Sequence, residues 1–531
     1  MKKTKTLLYV ITILIVFFTG AYLFFVKNNN HRTDSELFNG RFGSFLAATH
    51  AMYVTDYENA LKFVDEIPDA DAQFSEVGDI RVLMDFFNGN IPESVSDIKD
   101  SDVSHGRIIY DAYLVKNGGW NELYERHKSD KSALFAPFRI WSGIATDHKS
   151  DVLKFINEMD VTESWKDFVR GQIYAQIGDV ESAKKSFSKI DSDFLNINDY
   201  LYIMSFYKKY ELNDFADELQ SRFIERAGGV LLPEYNNIPS WNDFIGINNQ
   251  LGFCLLQTVS HTRMMRIQAL SMLLLHFVQI TAGTSYDDAI NYYIGQFLFD
   301  SGGDYRDYFL RIPRSSPFYL FGKLRLIDSE KGLKKMVRDN PLFVPAINDL
   351  VKKQISNGDK RSALKTINKS LKNKDISEVG KRYLTKMRAN VYYVFGELDK
   401  AKADIFAYSY GNDTDILSLQ AKIWTDENRE LERAYEYAME LIKKNPMDVM
   451  AWDTLGYVVA TREGVDAALE ILEQVGEMAD ECSSLFEHLG DLYVIIGDIE
   501  SAKISYSRAL ELSGDGLTVV PFIEKKLRNL K

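Results

Sequence analysis

One twenty-residue pattern occurs twice in this chain. GQIYAQIGDVESAKKSFSKI occupies residues 171–190, and GDLYVIIGDIESAKISYSRA occupies residues 490–509. Gly, Tyr, Ile-Gly-Asp and Glu-Ser-Ala-Lys fall at the same offsets in both copies. A unit this short cannot bury an apolar face alone. Its recurrence implies supersecondary units that stack and build a shared core.

The pattern has a local physical reading. Gly171 and Ala183 are separated as Gly490 and Ala502 are. Two antiparallel helices joined by a tight turn bring these positions together, and small residues there let the helix axes approach. Tyr174 with Phe187, and Tyr493 with Tyr506, fill the space beside the contact. Gly178-Asp179 and Gly497-Asp498 make the turn: glycine accepts the left-handed backbone, and aspartate caps the next helix. The spacing predicts an αα-hairpin of about 34 residues.

These units resemble tetratricopeptide (TPR) motifs. Residues 483–516 carry Phe486, Leu489, Gly490, Tyr493, Gly497, Ala502, Tyr506 and Ala509 at the family's signature positions. Residues 449–482 carry Trp452, Leu455, Gly456, Ala468 and Leu472, and residues 415–448 keep Ala434 and a helix-ending Pro446. Gly396 with Ala401, and Gly358 with Ala363, mark two looser units. Nearer the N-terminus the signature decays, but turn landmarks persist at Gly89, Gly118, Asp147 and Gly178. The resemblance implies an all-α superhelical solenoid of TPR-like hairpins. The layout, with GSFLAATHA near Gly43 and HLGDLY near Gly490, resembles large TPR proteins of alphaproteobacteria.

The expected organisation is degenerate repeats over 41–226, an irregular helical middle segment over 227–310, TPR repeats over 311–516 and a capping helix over 517–531. The middle segment opens with turn formers in GGVLLPEYNNIPSWNDF and continues into an apolar stretch at 270–280. That stretch is too short to span a bilayer and reads as a fully buried helix. The cap is expected because Ile523, Leu527 and Leu530 share one face of the last segment, where they shield the final repeat.

Residues 7–26, LLYVITILIVFFTGAYLFFV, contain no formal charge. As a helix they span about 30 Å, the thickness of the hydrocarbon core. Lys2, Lys3 and Lys5 precede the run, which keeps residues 1–6 in the cytoplasm and sends the chain beyond the linker at 27–40 across the membrane. A cleaved signal peptide is the competing reading. Thr19 and Ala21 offer a weak cleavage site, but Leu23 and the apolar residues after it would remain on the mature terminus. The expectation is a single-pass inner (cytoplasmic) membrane protein with a periplasmic C-terminal region.

The 63 basic and 76 acidic residues give a net charge of −13, which disfavours nucleic acid as the main ligand. None of the eight histidines sits in a close metal-binding pair, and no phosphate loop, nucleophile elbow or dinucleotide fingerprint is present. No cofactor and no catalytic residue is expected. His276, in an apolar run, reads as a hydrogen-bonded core histidine. Cys254 and Cys482 are too few for a disulfide framework. They read as buried, inert thiols, with a single long-range bridge left open.

Carrying the family's concave positions onto the clearest units gives a candidate partner-binding groove: Met450, Asp453 and Tyr457, then Ser484, Glu487, Asp491 and Ile495. Asp453 and Tyr457 are four residues apart, as are Glu487 and Asp491, so each pair shares a helix face. Such a groove suits a partner segment carrying Lys or Arg. The expected function is a membrane-tethered scaffold or adaptor that holds other proteins of the bacterial cell envelope. Its topology resembles that of single-pass translocon-associated TPR proteins. A self-associating spacer that forms homo-oligomers is one alternative. An enzyme subunit with its site in 227–310 is another.

Overall fold

A computed structural model describes residues 104–226, 237–261, 268–282, 286–301, 303–376, 378–407, 413–446, 448–478, 482–514 and 516–530, with short stretches at 62–63, 82–87, 89–91 and 95. The expected anchor at 7–26, the linker at 27–40 and the segment around Gly43 lie outside these residues. Among the described residues no helix is long and apolar enough to cross a membrane.

Every regular element among the described residues is helical. In chain order these begin with α1 (Ser104–Lys116), α2 (Trp120–His127), α3 (Ala136–Ala145), α4 (Lys149–Glu158), α5 (Glu163–Gln176), α6 (Val180–Phe187), α7 (Ile197–Lys209) and α8 (Asn213–Arg226). There follow α9 (Ile247–His261), α10 (Gln268–Thr281), α11 (Asp287–Ser301), α12 (Arg306–Arg311), α13 (Tyr319–Arg325) and α14 (Glu330–Asp339). The next helices are α15 (Val344–Ser356), α16 (Lys360–Leu371), α17 (Glu378–Val394), α18 (Leu398–Phe406), α19 (Thr414–Asp426) and α20 (Leu431–Lys444). The last are α21 (Val449–Arg462), α22 (Val465–Met478), α23 (Ser483–Ile496), α24 (Ile499–Glu511) and α25 (Val520–Asn529).

The chain divides into two compact units, Met1–Met159 with Gly246–Asp307, and Asp160–Ile245 with Tyr308–Lys531. This differs from the expected boundaries at 226 and 310, because the middle segment does not stand alone. The physical reason is the composition of α9 and α10. Residues 250–259 are buried throughout, as are Met272 to Val278, so both helices need covering on every side. α1 and α3 supply that cover, with Phe138 set edge-on against Phe277 at 5.2 Å. The buried helix expected at 270–280 is α10. Within it His276 is 2% exposed, and its Nδ1 donates to the Met272 carbonyl at 2.8 Å, as expected of a core histidine.

In the second unit the hairpin turns obey the sequence pattern. Gly178, Gly358, Gly396, Gly464 and Gly497 all have positive φ. At Gly497 the angle is 82°, which favours a residue without Cβ. Asp179, Asp359 and Asp498 follow as caps and accept from the backbone N–H three residues on, at 3.1, 2.9 and 3.1 Å. In the first unit, the landmarks Gly89, Gly118 and Asp147 also lie at positive φ.

The close helix approach is more specific than a glycine facing an alanine. A Cβ on Gly171 would lie 2.3 Å from the Phe187 ring, one on Gly456 2.4 Å from Leu472, and one on Gly490 2.5 Å from Tyr506. The first-helix glycine therefore receives the large side chain of the second helix. The alanines Ala183, Ala468 and Ala502 are fully buried beside it. Burying each large side chain contributes roughly 1.5–3 kcal/mol.

Five hairpins run consecutively from α15 to α24. Their first helices, α15, α17, α19, α21 and α23, pack side by side, and α25 closes the array against α24. Ile523 of α25 is fully buried in a cluster with Ala502, Tyr506 and Ala509.

Candidate functional site

The first helices of the five hairpins enclose a cavity of about 520 Å³. Its wall mixes apolar side chains, such as Met387 and Leu419, with Asn348, Lys352, Lys386 and Asn390. Gly516 and Leu517, which precede α25, complete the lining.

The register of the helices explains this wall. The first helices begin at Val344, Glu378, Thr414, Val449 and Ser483. Their ninth residues are Lys352, Lys386, Lys422, Tyr457 and Asp491. The first three of these line the cavity and the last two do not, and the lysine of α19 meets a carboxylate of α21. Lys422 there donates to Asp453 Oδ2 at 2.8 Å. Ser484 Oγ donates to the same oxygen at 2.9 Å, and His488 Nδ1 donates to Oδ1 at 2.6 Å. One carboxylate therefore ties three successive hairpins together.

Of the seven residues expected to form the groove, Met450, Ser484 and Glu487 line the cavity. Asp453 does not present itself to a partner: it is 0% exposed. Burial alone would raise its carboxyl pKa. The neighbouring His488 and Lys422 outweigh that and hold it well below the usual carboxylate range. Tyr457 donates to Asp426 and packs its ring 4.5 Å from that of His488. Burial, reinforced by Asp426, pushes its phenol up. Asp491 accepts from Tyr506 Oη at 2.6 Å and from Lys526 Nζ at 2.7 Å. Ile495 is 67% exposed and is not part of the cavity wall.

The open acidic groove is corrected accordingly. Asp453 is paired with Lys422 and hydrogen-bonded to His488, and Glu487 and Asp491 share the one ammonium of Lys526. Asn348, Lys352, Lys386, Asn390 and Lys422 were not anticipated. Counting the same helix positions from the turns at Gly358 and Gly396 locates the first four, because those turns fix where α15 and α17 end.

The two thiols do no surface chemistry. Cys254 and Cys482 are free and buried, and burial pushes them up to about 12 and about 11. Among the described residues no group of three or more His, Cys, Asp or Glu side chains is placed to hold a metal ion. No residue of 227–310 lines the cavity.

Residues 484–515 match the tetratricopeptide repeat model. The matched stretch is the hairpin of α23 and α24, where the glycine–tyrosine contact and the aspartate cap are both present. No curated protein matches the chain. Among solved structures the chain is similar to the APC/C hetero-tetramer Cut9-Hcn1, at 14% identity and a TM-score of 0.31, over 92% of this chain and 96% of that one. It is also similar to yeast Tom70, at 11% identity and a TM-score of 0.25, over 82% and 96%. TM-scores of this size do not establish a shared arrangement, so the tetratricopeptide assignment rests on the matched hairpin and on the packing repeated beside it.

Proposed function

We propose that the C-terminal hairpins are a docking module that holds a segment of another protein, and that residues 7–26 tether this module to the inner membrane with its C-terminal region in the periplasm. The observation that carries the docking reading is the cavity shared by five successive first helices. Its amide groups suit the carbonyls of an extended chain and its apolar wall suits side chains between them, while Lys386 and Lys422 are already paired with Asp413 and Asp415 and with Asp453. The chain's own backbone supplies an instance, because Asn390 Nδ2 donates to the Gly516 carbonyl at 3.5 Å. Catalysis has less support. Asp453, a buried carboxylate held below its usual range, is sealed inside an ion-pair network. The tether reading rests on the charge-free run and the lysines before it, and tethering raises the concentration of the module near membrane partners.

The test is site-specific photocrosslinking in native cells. A photoreactive residue replaces Met450 or Tyr383 in the cavity wall, or Ile504, which is 71% exposed and lies off the wall. The same partner protein is expected from both wall positions and not from Ile504. Recovery of nothing from the wall, or of one species from all three, sinks the docking reading.

A further inference from the structure

The segment before α25 does more than cap the last repeat: it reaches back to the start of the array. Gly516 comes so close to α15 that a Cβ on it would lie 2.6 Å from Lys352 Cγ. Pro521 and Val519 stand against Gly358, where a Cβ would lie 3.2 and 3.6 Å from them. Phe522 meets Phe395 edge-on at 6.0 Å. Thr518 and Val519 are almost wholly buried. The loop that ends the fifth hairpin and the first turn of α25 are thus packed on the first and second hairpins, and Gly516 and Leu517 of the loop supply part of the cavity wall.

Two sets of contacts hold the segment, and they are separable. One set anchors it locally. Ile523 is buried in the α24 cluster, and Lys526 pairs with Glu487 and Asp491. The other set crosses to α15 and α17 and consists of the close approaches at Gly516 and Gly358, the hydrogen bond from Asn390 to the Gly516 carbonyl and one ring contact. Gly514 and Gly516, at φ 131° and 81°, flank the start of the crossing and favour backbone that other residues resist.

We propose that residues 516–522 form a clasp, an intramolecular occupant of the α15–α17 face that competes with the partner segment for the cavity. Opening breaks the crossing contacts and the Thr518–Ser483 hydrogen bond and leaves the anchors of α25, Ile523 and Lys526, in place. The face so exposed fits a segment of the clasp's own chemistry: small and apolar residues, then a helical turn that opens with proline and an aromatic ring. This inference rests on the docking reading and adds a control over it, because an occupant that is present at all times lowers the apparent affinity of any competitor.

The test uses the purified full chain and a fluorescent synthetic peptide of residues 516–524 as probe. Gly516→Val drives the clasp off Lys352, and Phe522→Ala removes the contact with Phe395. Each variant is expected to bind the probe at least about tenfold more tightly than the natural chain. Hydrogen exchange is expected to quicken at 390–396 and 517–521 while α23 and α24 stay protected. Unchanged probe binding in both variants overturns the clasp. Exchange that rises equally through α23 and α24 also overturns it, since the segment is then only a structural cap. The exchange result needs no partner: a clasp that responds while Met450 traps nothing removes the docking reading alone, and a trapped partner without clasp response removes the clasp alone.

Discussion

Gly490 and Tyr506 occupy one another's space: the ring stands where a Cβ on residue 490 would be, 2.5 Å away. The ring cannot swing aside freely, because its hydroxyl donates to Asp491 at 2.6 Å. Gly490→Ala therefore overpacks the α23–α24 interface, at a cost of about 1–3 kcal/mol. The check is the urea midpoint of the C-terminal hairpins. In a Tyr506→Ala background the same substitution is expected to cost clearly less, since the clash is gone. Equal costs in the two backgrounds would mean that a neighbour other than the Tyr506 ring sets the effect, since helix propensity alone favours alanine over glycine.

Asp453 and Lys422 are both buried, so removing one strands the other. Asp453→Ala leaves an ammonium without its countercharge and is expected to destabilise the block by roughly 3–5 kcal/mol. Lys422→Met combined with Asp453→Leu removes both charges and is expected to recover most of that loss. Thermal unfolding of the two variants beside the natural chain decides. If the double variant is no better than the single one, the network contributes through Ser484 and His488 instead.

Much of the hairpin architecture is legible in the residues, because it rests on local chemistry. Gly178, Gly358, Gly396 and Gly497 mark turns through positive φ, and the buried alanines Ala183, Ala363, Ala401 and Ala502 follow them at a fixed distance. The turn between α19 and α20 is harder to read. Asn428 and Glu430 take positive φ there without glycine, as Glu211 does between α7 and α8. The candidate site is less legible for a different reason. Whether Asp453 faces solvent depends on Lys422, which lies on a neighbouring hairpin 31 positions earlier. Pairing across hairpins is set by the stacking register, not by spacing within one helix. The same limit hid Lys526, which pairs with both Glu487 and Asp491 from the capping helix. It also hid the union of Gly246–Asp307 with the first unit, which follows from α10 having no polar face to expose.

His276 gives the first unit an acid response. Its imidazole is lowered to about 4, because burial disfavours the charged form; the Met272 carbonyl opposes this only in part. The unfolded chain titrates near 6.5. A histidine lowered on folding contributes stability above its unfolded pKa and loses it as pH falls through the folded one. The window is therefore pH 6.5 down to about 4, and the loss across it is roughly 3 kcal/mol. Hydrogen exchange of α10, corrected for intrinsic rates, should quicken through this window. His276→Leu should flatten the response, and an unaltered response in that variant would assign the acid sensitivity elsewhere.

The tether and its sidedness can be read with one engineered thiol, because the natural ones are silent. Cys254 and Cys482 are buried with raised pKa values, so a maleimide has no reactive thiolate to find in the folded chain. Ile504→Cys places a thiol at an exposed position of α24. If residues 7–26 span the inner membrane with the lysines inside, a membrane-impermeant maleimide labels this thiol once the outer membrane is opened, before lysis of the inner one. Lys3→Cys should label only after lysis. Alkaline carbonate should leave the full chain in the membrane pellet and release a chain lacking residues 7–26. Labelling of Ile504→Cys only after lysis places the hairpins in the cytoplasm. Release of the full chain by carbonate removes the tether altogether, and with it the local concentration on which the envelope role depends.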